Sequence, residues 1–594
     1  MNNVNIRGRL TLMNQAGDVV FEDHNLVVYG GYDAIASIVG AAAGDETPEG
    51  SFQVKLFSGG SNTFARTDTA ISGTVQASAG ISSYSLDTAA HSVILNYEVS
   101  ASSFNGTTTL TTAGLYWNGE LFSEVDLDDL VHEANTAYAG TWEIIFGDDT
   151  IPVGEGTSSD PYLIANATQL NWFMSQVNGG STSIHGALIA NITYNQGKDV
   201  AGYDGKSSNT FTAFTPICTS SGGYKGTFDG RGNTISGIYI NTADYTRAGL
   251  FGYIGSGGIV KDVIMTNYYI ASSYVGSSEV DVGSIAGQCM SGGTITGCSC
   301  NGTVDVTSDC TGSEVDTTLR CGGIAGTNSG TCSSNTMSGS VDVSGTATTY
   351  IYCGGIAGNN NYGGTCSSNT MSGSVDVSGT ATTYIYCGGI AGNNYGGTCS
   401  SNTMSGSVDV SGTATTYIYC GGIAGNNNYG GGTIKGNYAY GTVDVSGTAG
   451  SYIRCGGIVG HLNNMASGSV ATIAENYMYG SVDVSGTAAT NITCGGIVGY
   501  RWQDTDCYVY ENSLYGSYTC TGSYGGTLYL GAIVAEGQKS DSDYLYDNYD
   551  YSSDSVSAMA LTAASVSVAS VEATDEADTD TASTDEAATE VVTE

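Results

Sequence analysis

The chain is short of positive charge. Lys and Arg total 15 against 56 Asp and Glu, a formal charge of −41 over 594 residues. Such a surface repels nucleic acid and anionic lipid, so no nucleic-acid or membrane partner is expected. Proline is nearly absent at 4 residues, so the many turns fall to the 88 glycines. No apolar run is long enough to cross a bilayer. The opening stretch MNNVNIRGRLTLMNQAGD has positive charge but no apolar h-region, and the carboxyl end shows neither a hydrophobic tail nor a wall-anchor motif. Export by the general secretory route is therefore not expected. Cysteine is missing from the first 217 residues, and none of the 16 forms a metal-type CxxC pair.

Abundant Gly, Thr, Ser, Val and Tyr indicate β-structure with tight turns. The length allows two to four domains. Residues 1–150 carry no repeat. There VNIRGRLTLMNQAGDVVFEDHNLVV alternates around the turn Gln15-Ala16-Gly17-Asp18 and predicts a hairpin. YDAIASIVGAA predicts a short helix with Ile35, Ile38 and Val39 on one face, and HSVILNYEVSASSF and GTWEIIFGDD predict strands. An antiparallel β-domain with one helix is the expected product.

Residues 151–180 read as a lead-in and cap. Leu170, Phe173, Met174 and Val177 make one helical stripe, Asn166 and Gln169 fit an N-cap and its N3 partner, and Gly179-Gly180 stops the helix. A cap suits the first unit of an array, which has no neighbour to cover it.

Residues 181–554 are that array. CGGIAGNNNYGGTCSSNTMSGSVDVSGTATTYIY, residues 353–386, is followed at once by another CGGIAG. The glycine motif recurs at Gly249, Gly283, Gly322, Gly354, Gly388, Gly421, Gly456 and Gly495, at intervals of 32 to 39 residues. Helical repeats of that period need Leu- and Ala-rich amphipathic segments, which these units lack. Short runs such as TYIYCGGIAG and SVDVSG between Asn/Gly turns predict instead an all-β fold, a right-handed parallel β-solenoid with one repeat per coil and a short capping helix. From Val571 the chain has nine acidic residues and no basic one, and residues 555–594 are expected to be a disordered acidic tail.

Alternation within a coil places Val341, Val343, Ile351 and Cys353 inside, and Asp342, Tyr350 and Tyr352 outside. Stacking then aligns like residues. Cys321, Cys353, Cys387, Cys420, Cys455 and Cys494 form one column, and Cys332, Cys366 and Cys399 another. Their parallel Cβ vectors favour small, reduced packing residues over disulfides.

The array resembles the GLUG-type repeats of bacterial surface adhesins and of regions attached to some surface proteases. The stretches that carry the likeness are GTFDGRGNTISGIYI (226–240), AGLFGYIGSGGIVKDVIMTN (248–267) and the successive GGIAG or GGIVG units, with GTSSDPYLIANATQLNWF as a lead-in. The resemblance implies a β-helical stalk or adhesive surface over roughly 155–540. Residues 17–40 (GDVVFEDHNLVVYGGYDAIASIVG), 111–125 (TTAGLYWNGELFSEV) and 141–146 (TWEIIF) resemble the head of a phage tail-fibre protein. That likeness implies attachment to a phage tail or baseplate, and release by lysis without an export signal.

Catalysis needs a unique pair of acids, or an acid and a base, at fixed separation. Asp305, Asp342, Asp376, Asp409, Asp444 and Asp483 instead form a repeated column, and the array holds only His185 and His461. No GxSxG, HExxH, P-loop or EF-hand pattern is present. Asp229 and Arg231 in FDGRGN read as a turn, and Asp23-His24 as surface polarity. No enzyme is expected, and no cofactor apart from calcium, which carboxylates of Asp342, Asp376, Asp409 and Asp444 on consecutive coils could share. A solvated acidic stripe is the alternative. The tyrosines are the candidate contact surface. Tyr350, Tyr384, Tyr417 and Tyr452 align, as do Tyr352, Tyr386 and Tyr419, and such ladders could meet a receptor or a sister chain of a homo-oligomer such as a trimer.

The expected function is a phage tail-fibre or tail-associated adhesin that binds host cell-surface glycan or protein and resides in the virion tail. A bacterial cell-surface adhesin and a glycan depolymerase are the alternatives. Near-identical copies cannot each do a distinct chemical task. They can set length and present one weak contact many times.

Overall fold

The computed structural model describes residues 5–13, 19–27, 51–59, 70–87, 92–147 and 151–552, less positions 105, 134–135, 153, 204–209, 244, 276–278, 309–316, 429–430, 464–469, 503–506 and 537–544, together with the backbone of 566–569. The expected helix at 32–42, the turn at 15–18 and the acidic run from 571 lie outside the described residues, as do the side chains of Asp23 and His24. The chain divides into two compact units: Met1–Thr193 with Gly226–Asn233, and Tyr194–Lys225 with Thr234–Glu594.

The first unit opens with eight strands: β1 (Asn5–Met13), β2 (Val19–Val27), β3 (Phe52–Ser58), β4 (Thr74–Asp87), β5 (Ser92–Val99), β6 (Thr108–Trp117), β7 (Glu120–His132) and β8 (Tyr138–Gly147). They close a barrel in the order β1-β2-β7-β6-β3-β4-β5-β8, every pairing antiparallel. The expected hairpin is β1–β2. Closure comes from β1 pairing with β8, Leu10 opposite Trp142. Leu10, Leu12, Leu56, Leu110, Phe122 and Trp142 fill the interior and are fully buried.

The lead-in of this unit carries helix α1 (Ala167–Asn178). Asn166 caps it, its side chain accepting from the Gln169 N–H at 2.9 Å, while Gln169 Oε1 accepts from the Ala165 N–H at 2.7 Å. Leu170, Phe173 and Val177 are buried and Met174 is half-buried. Gly186 admits the Phe173 ring, which a Cβ there would meet at 2.8 Å.

The second unit continues a parallel solenoid of about eight turns. One coil runs through Tyr350–Gly354, Ala357–Asn360, Thr365–Ser367, Thr370–Met371 with Ser374–Val377, and Thr380–Ala381, before Tyr384–Gly388 begins the next. Each segment pairs in register with its counterpart one coil on, so Cys353 lies beside Cys387 and Asp342 beside Asp376. The Tyr350–Gly354 segment belongs to a ten-stranded sheet, Ala357–Asn360 to a nine-stranded one. The lumen holds Ile351, Cys353, Ile356, Cys366, Met371, Val375, Val377 and Ala381, none more than 1% exposed. This is the alternation read from YIYC and VDV.

Two polar ladders occupy the turns. Asn335, Asn369, Asn402, Asn437, Asn476, Asn512 and Asn548 each present Oδ1 to the backbone N–H and Nδ2 of the Asn one coil before, except that Asn335 meets only the Cys298 N–H. Each follows a left-handed residue, such as Ser368 at φ 55°. Asn328, Asn360, Asn394 and Asn427 form a second ladder, Nδ2 to Oδ1 at 2.7–2.8 Å. Buried amides that satisfy one another from coil to coil fix the stacking register.

The array extends beyond the motifs counted from sequence. Gly531 pairs with Gly495, and Val566–Ala569 pairs with Leu528–Gly531. A strand thus stands within the span expected to be a disordered tail.

Candidate functional site

The tyrosine columns form because Tyr350–Gly354 and its counterparts stack without register shift. In the outer column the ring centroids of Tyr350 and Tyr384 are 5.3 Å apart, Tyr384 and Tyr417 4.9 Å, and Tyr417 and Tyr452 5.2 Å. In the inner column Tyr352–Tyr386 and Tyr386–Tyr419 are 5.1 and 5.2 Å apart, with planes within 6°. From Tyr350 to Tyr417 and from Tyr352 to Tyr419 the rings turn their faces to one another, while Tyr452 is tilted 40° from Tyr417. The columns offer edges and hydroxyls to a ligand, not the free faces that sugar stacking requires.

The two columns differ in exposure, which corrects the expectation that both face water. Tyr350, Tyr384, Tyr417 and Tyr452 are half-buried. Tyr386 and Tyr419 are only 7% and 3% exposed. The inner rings sit two residues before the Gly-Gly corner, where the chain turns at once into a strand whose outward Asn359, Asn393 and Asn426 are themselves buried. Burial pushes the phenols of Tyr352, Tyr386 and Tyr419 well above their ordinary pKa. The outer column is what this face can present to a partner.

Charged residues close the inner column at both ends. In register order it reads Arg247, Asp281, Arg320, Tyr352, Tyr386, Tyr419, Arg454. Asp281 lies between two arginines, 2.6 Å from Arg247 Nε and 3.2 Å from Arg320 Nη1, and Arg320 also holds Glu279. That partner keeps the Glu279 carboxyl below the usual range. At the other end Arg454 Nη1 donates to Tyr419 Oη at 3.0 Å. The neighbouring column places His461 on the Tyr419 ring, centroids 4.4 Å apart, its Nδ1 donating to Asn426 Oδ1 at 2.7 Å. Burial, then Arg454, holds His461 neutral.

The aspartates do stack, Asp305 through Asp483, each beside the next. Asp444 is exposed, but Asp342 is half-buried rather than free in water. Desolvation, opposed by a hydrogen bond from Ser340 and reinforced by Asp376, raises its carboxyl to about 6. Among the described residues no group of three or more His, Cys, Asp or Glu could hold a metal ion. The fifteen described cysteines are buried and none is in a disulfide. Burial pushes Cys298, two residues before Cys300, up to about 12. Asp229 Oδ1 accepts the Arg231 backbone N–H at 2.9 Å, the expected turn, and His185 Nδ1 accepts from the Thr227 N–H.

Sequence reasoning missed a third aromatic column on another face. Tyr440, Tyr479, Tyr515 and Tyr551 stack at 4.7–4.9 Å with planes within 11°. They are 49, 40, 42 and 56% exposed. The signal was present in GNYAYG, ENYMYG, ENSLYG and DNYDYS, hidden because these units depart from the near-identical copies.

No protein-family model matches the chain. It is 33% identical over 156 residues to Halomucin of Haloquadratum walsbyi, covering 26% of this chain and 2% of that one. It is 32% identical over 117 residues to a protein of Evansella cellulosilytica provisionally named a Gly-rich membrane protein, covering 20% and 12%. The matches thus span a small part of these relatives' lengths. A crystal structure of a Bacteroides ovatus protein, provisionally named an immunoglobulin A1 protease, aligns over 67% of this chain and 86% of its own, with 18% identity and a TM-score of 0.29.

Proposed function

We propose that the chain is an adhesin whose solenoid binds a cell surface through many copies of one weak contact, the outer tyrosine column. The observation that supports this most is the register of the repeats. Tyr350, Tyr384 and Tyr417 are half-buried at the same register position on successive coils, each beside the next. Copies of that kind multiply avidity, whereas a catalytic site would need residues that differ between coils. The GLUG-type and tail-fibre resemblances fit a binding rod behind an attachment domain, here the barrel on a phage tail with host glycan as the receptor. Partial likeness to Halomucin and to a Gly-rich membrane protein favours a second placement, on a cell surface.

Removing residues 354–387 joins Cys353 to Gly388 and deletes one coil in register. The shortened chain should fold and bind host cells more weakly, and removing residues 354–420 should weaken binding further. Binding indifferent to copy number would overturn the reading. Changing Tyr350, Tyr384, Tyr417 and Tyr452 to Ser should abolish cell binding with the oligomer intact, and loss of the oligomer would assign the column to assembly. Antibody to residues 1–150 tests placement by pull-down of virions or labelling of cells.

A further inference from the structure

The column Tyr440, Tyr479, Tyr515 and Tyr551 has a built-in control within the same chain. One coil position earlier in the array is Ser405, then Ser372 and Ser338. The backbone is the same throughout: the N–H groups of Ser405, Tyr440, Tyr479, Tyr515 and Tyr551 donate to the carbonyls of Met371, Met404, Ala439, Met478 and Leu514. The adjacent position runs Thr403, Tyr438, Tyr477, Ser513 and Tyr549, so it too carries tyrosine on three of these coils. The coil therefore folds with Ser and Thr at these sites. The rings gain little burial in return, since Tyr438 and Tyr549 are 38% and 49% exposed. The coil does not need these four stacked phenols to form, and a row of aromatic side chains half in water is a surface for contact.

We propose that this face is a second binding surface, distinct from the Tyr350–Tyr452 column, and that it takes a linear polysaccharide without negative charge. The proposal rests on the adhesin reading and names a site and a ligand class for it. Charge selects against the other occupants. Around the column stand Asp444, Glu475, Asp483, Glu511, Asp547 and Asp550, and the nearby cation Lys435 is held by Glu475 at 2.8 Å. An anionic polymer is repelled, and so is the same acidic face of a second copy. Shape selects a linear partner. The column repeats by one coil spacing of about 4.8 Å, so a polymer with its own short repeat can make the same contact several times along it. Ring edges supply apolar contact for C–H groups and the phenols supply donors and acceptors for hydroxyls.

The test uses the full chain and its variant Y440S/Y479S/Y515S/Y551S, which installs the residue that Ser338, Ser372 and Ser405 already carry. Both are passed over insoluble neutral and cationic polysaccharides, cellulose, chitin and chitosan as probes, beside an anionic one, pectate. The proposal expects retention of the wild type on a neutral or cationic probe, weakened about tenfold or more in the variant. It is overturned if no such probe retains the wild type, if the quadruple variant binds equally, or if pectate is preferred. Loss of cell binding on coil deletion with polysaccharide retention intact would separate the two readings, because residues 354–387 lie outside this column.

Discussion

The guanidinium of Arg454 lies 3.6 Å from the ring centroid of Tyr500, one coil on. Tyr452, Tyr419 and Tyr417 surround the same cation at 5.0–5.8 Å. Arg454 is 8% exposed, so these contacts act with little competition from water. Arg454→Met should destabilise the carboxyl-terminal coils by about 2 kcal/mol. Arg454→Lys should recover only part, because an ammonium lacks the planar stacking surface. Hydrogen exchange of Ile453, Ile458, Ile492 and Ile497 measures the effect, and unchanged protection would refute it.

Gly406 is required by its neighbour's backbone. A Cβ there would stand 1.8 Å from the carbonyl oxygen of Gly373, and Gly373 meets Gly339 in the same way. Gly406→Ala should cost about 3 kcal/mol by forcing adjacent coils apart. Gly363, at the tip of a turn with nothing nearby, should tolerate Ala far better despite its φ of 71°. Thermal unfolding of the two variants compares them directly.

Asn402 serves three partners. Its Oδ1 accepts the Asn369 N–H and Nδ2, and its Nδ2 donates to the Cys366 carbonyl and to Asn437 Oδ1. Asn402→Ala leaves buried donors of Asn369 unpaired, an expected cost of about 2–4 kcal/mol. Denaturant titration reads this, and a loss below 1 kcal/mol would mean that the ladder is not carrying the register.

The aspartate column makes stability depend on pH. Asp342 is raised from 3.8 to about 6 in the fold, and Asp305 and Asp409 are also raised, each chiefly by desolvation. The folded state therefore holds protons that the unfolded chain has released. Their contribution is fully present below 3.8 and is lost as pH rises through about 6. Glu279 acts in the opposite sense, since its lowered pKa contributes stability that is lost as pH falls below its ordinary range. The melting temperature should thus fall between about pH 4 and 7, and D305N/D342N/D409N should flatten that fall. Added calcium or EDTA discriminates a shared-cation column, which would shift the curve, from a solvated stripe, which would not.

The thiols should be silent in the folded protein. The fifteen described cysteines are buried and none is in a disulfide, and burial raises Cys353 and Cys387 well above their ordinary pKa. Full labelling of all 16 should require denaturant. Rapid native labelling at more than one or two sites would contradict the packing described.

Much of this architecture was legible because it is local and periodic. Asn166 and Gln169 announce a capped helix within four residues of one another. Ile351 and Cys353 announce the lumen by alternation, and the recurrence of CGGIAG announces the stack. What escaped is what depends on distant strands. The closure of β1 against β8 joins residues more than a hundred positions apart, and no alternation pattern names a partner at that range. The burial of Tyr386 and Tyr419 was equally hidden, since it comes from the corner that follows and from the next strand's Asn393 and Asn426.

By itself the sequence determined a stacked β-array, the residues that line its interior and the columns that run along it, because a period of one coil turns identity in sequence into adjacency in space. Only the tertiary structure decided which columns meet water. Tyr386 and Tyr440 are both outward tyrosines, yet one lies in a corner against a second strand and the other on an open sheet, and that difference is set by how the coil bends rather than by the residue or its neighbours in the chain.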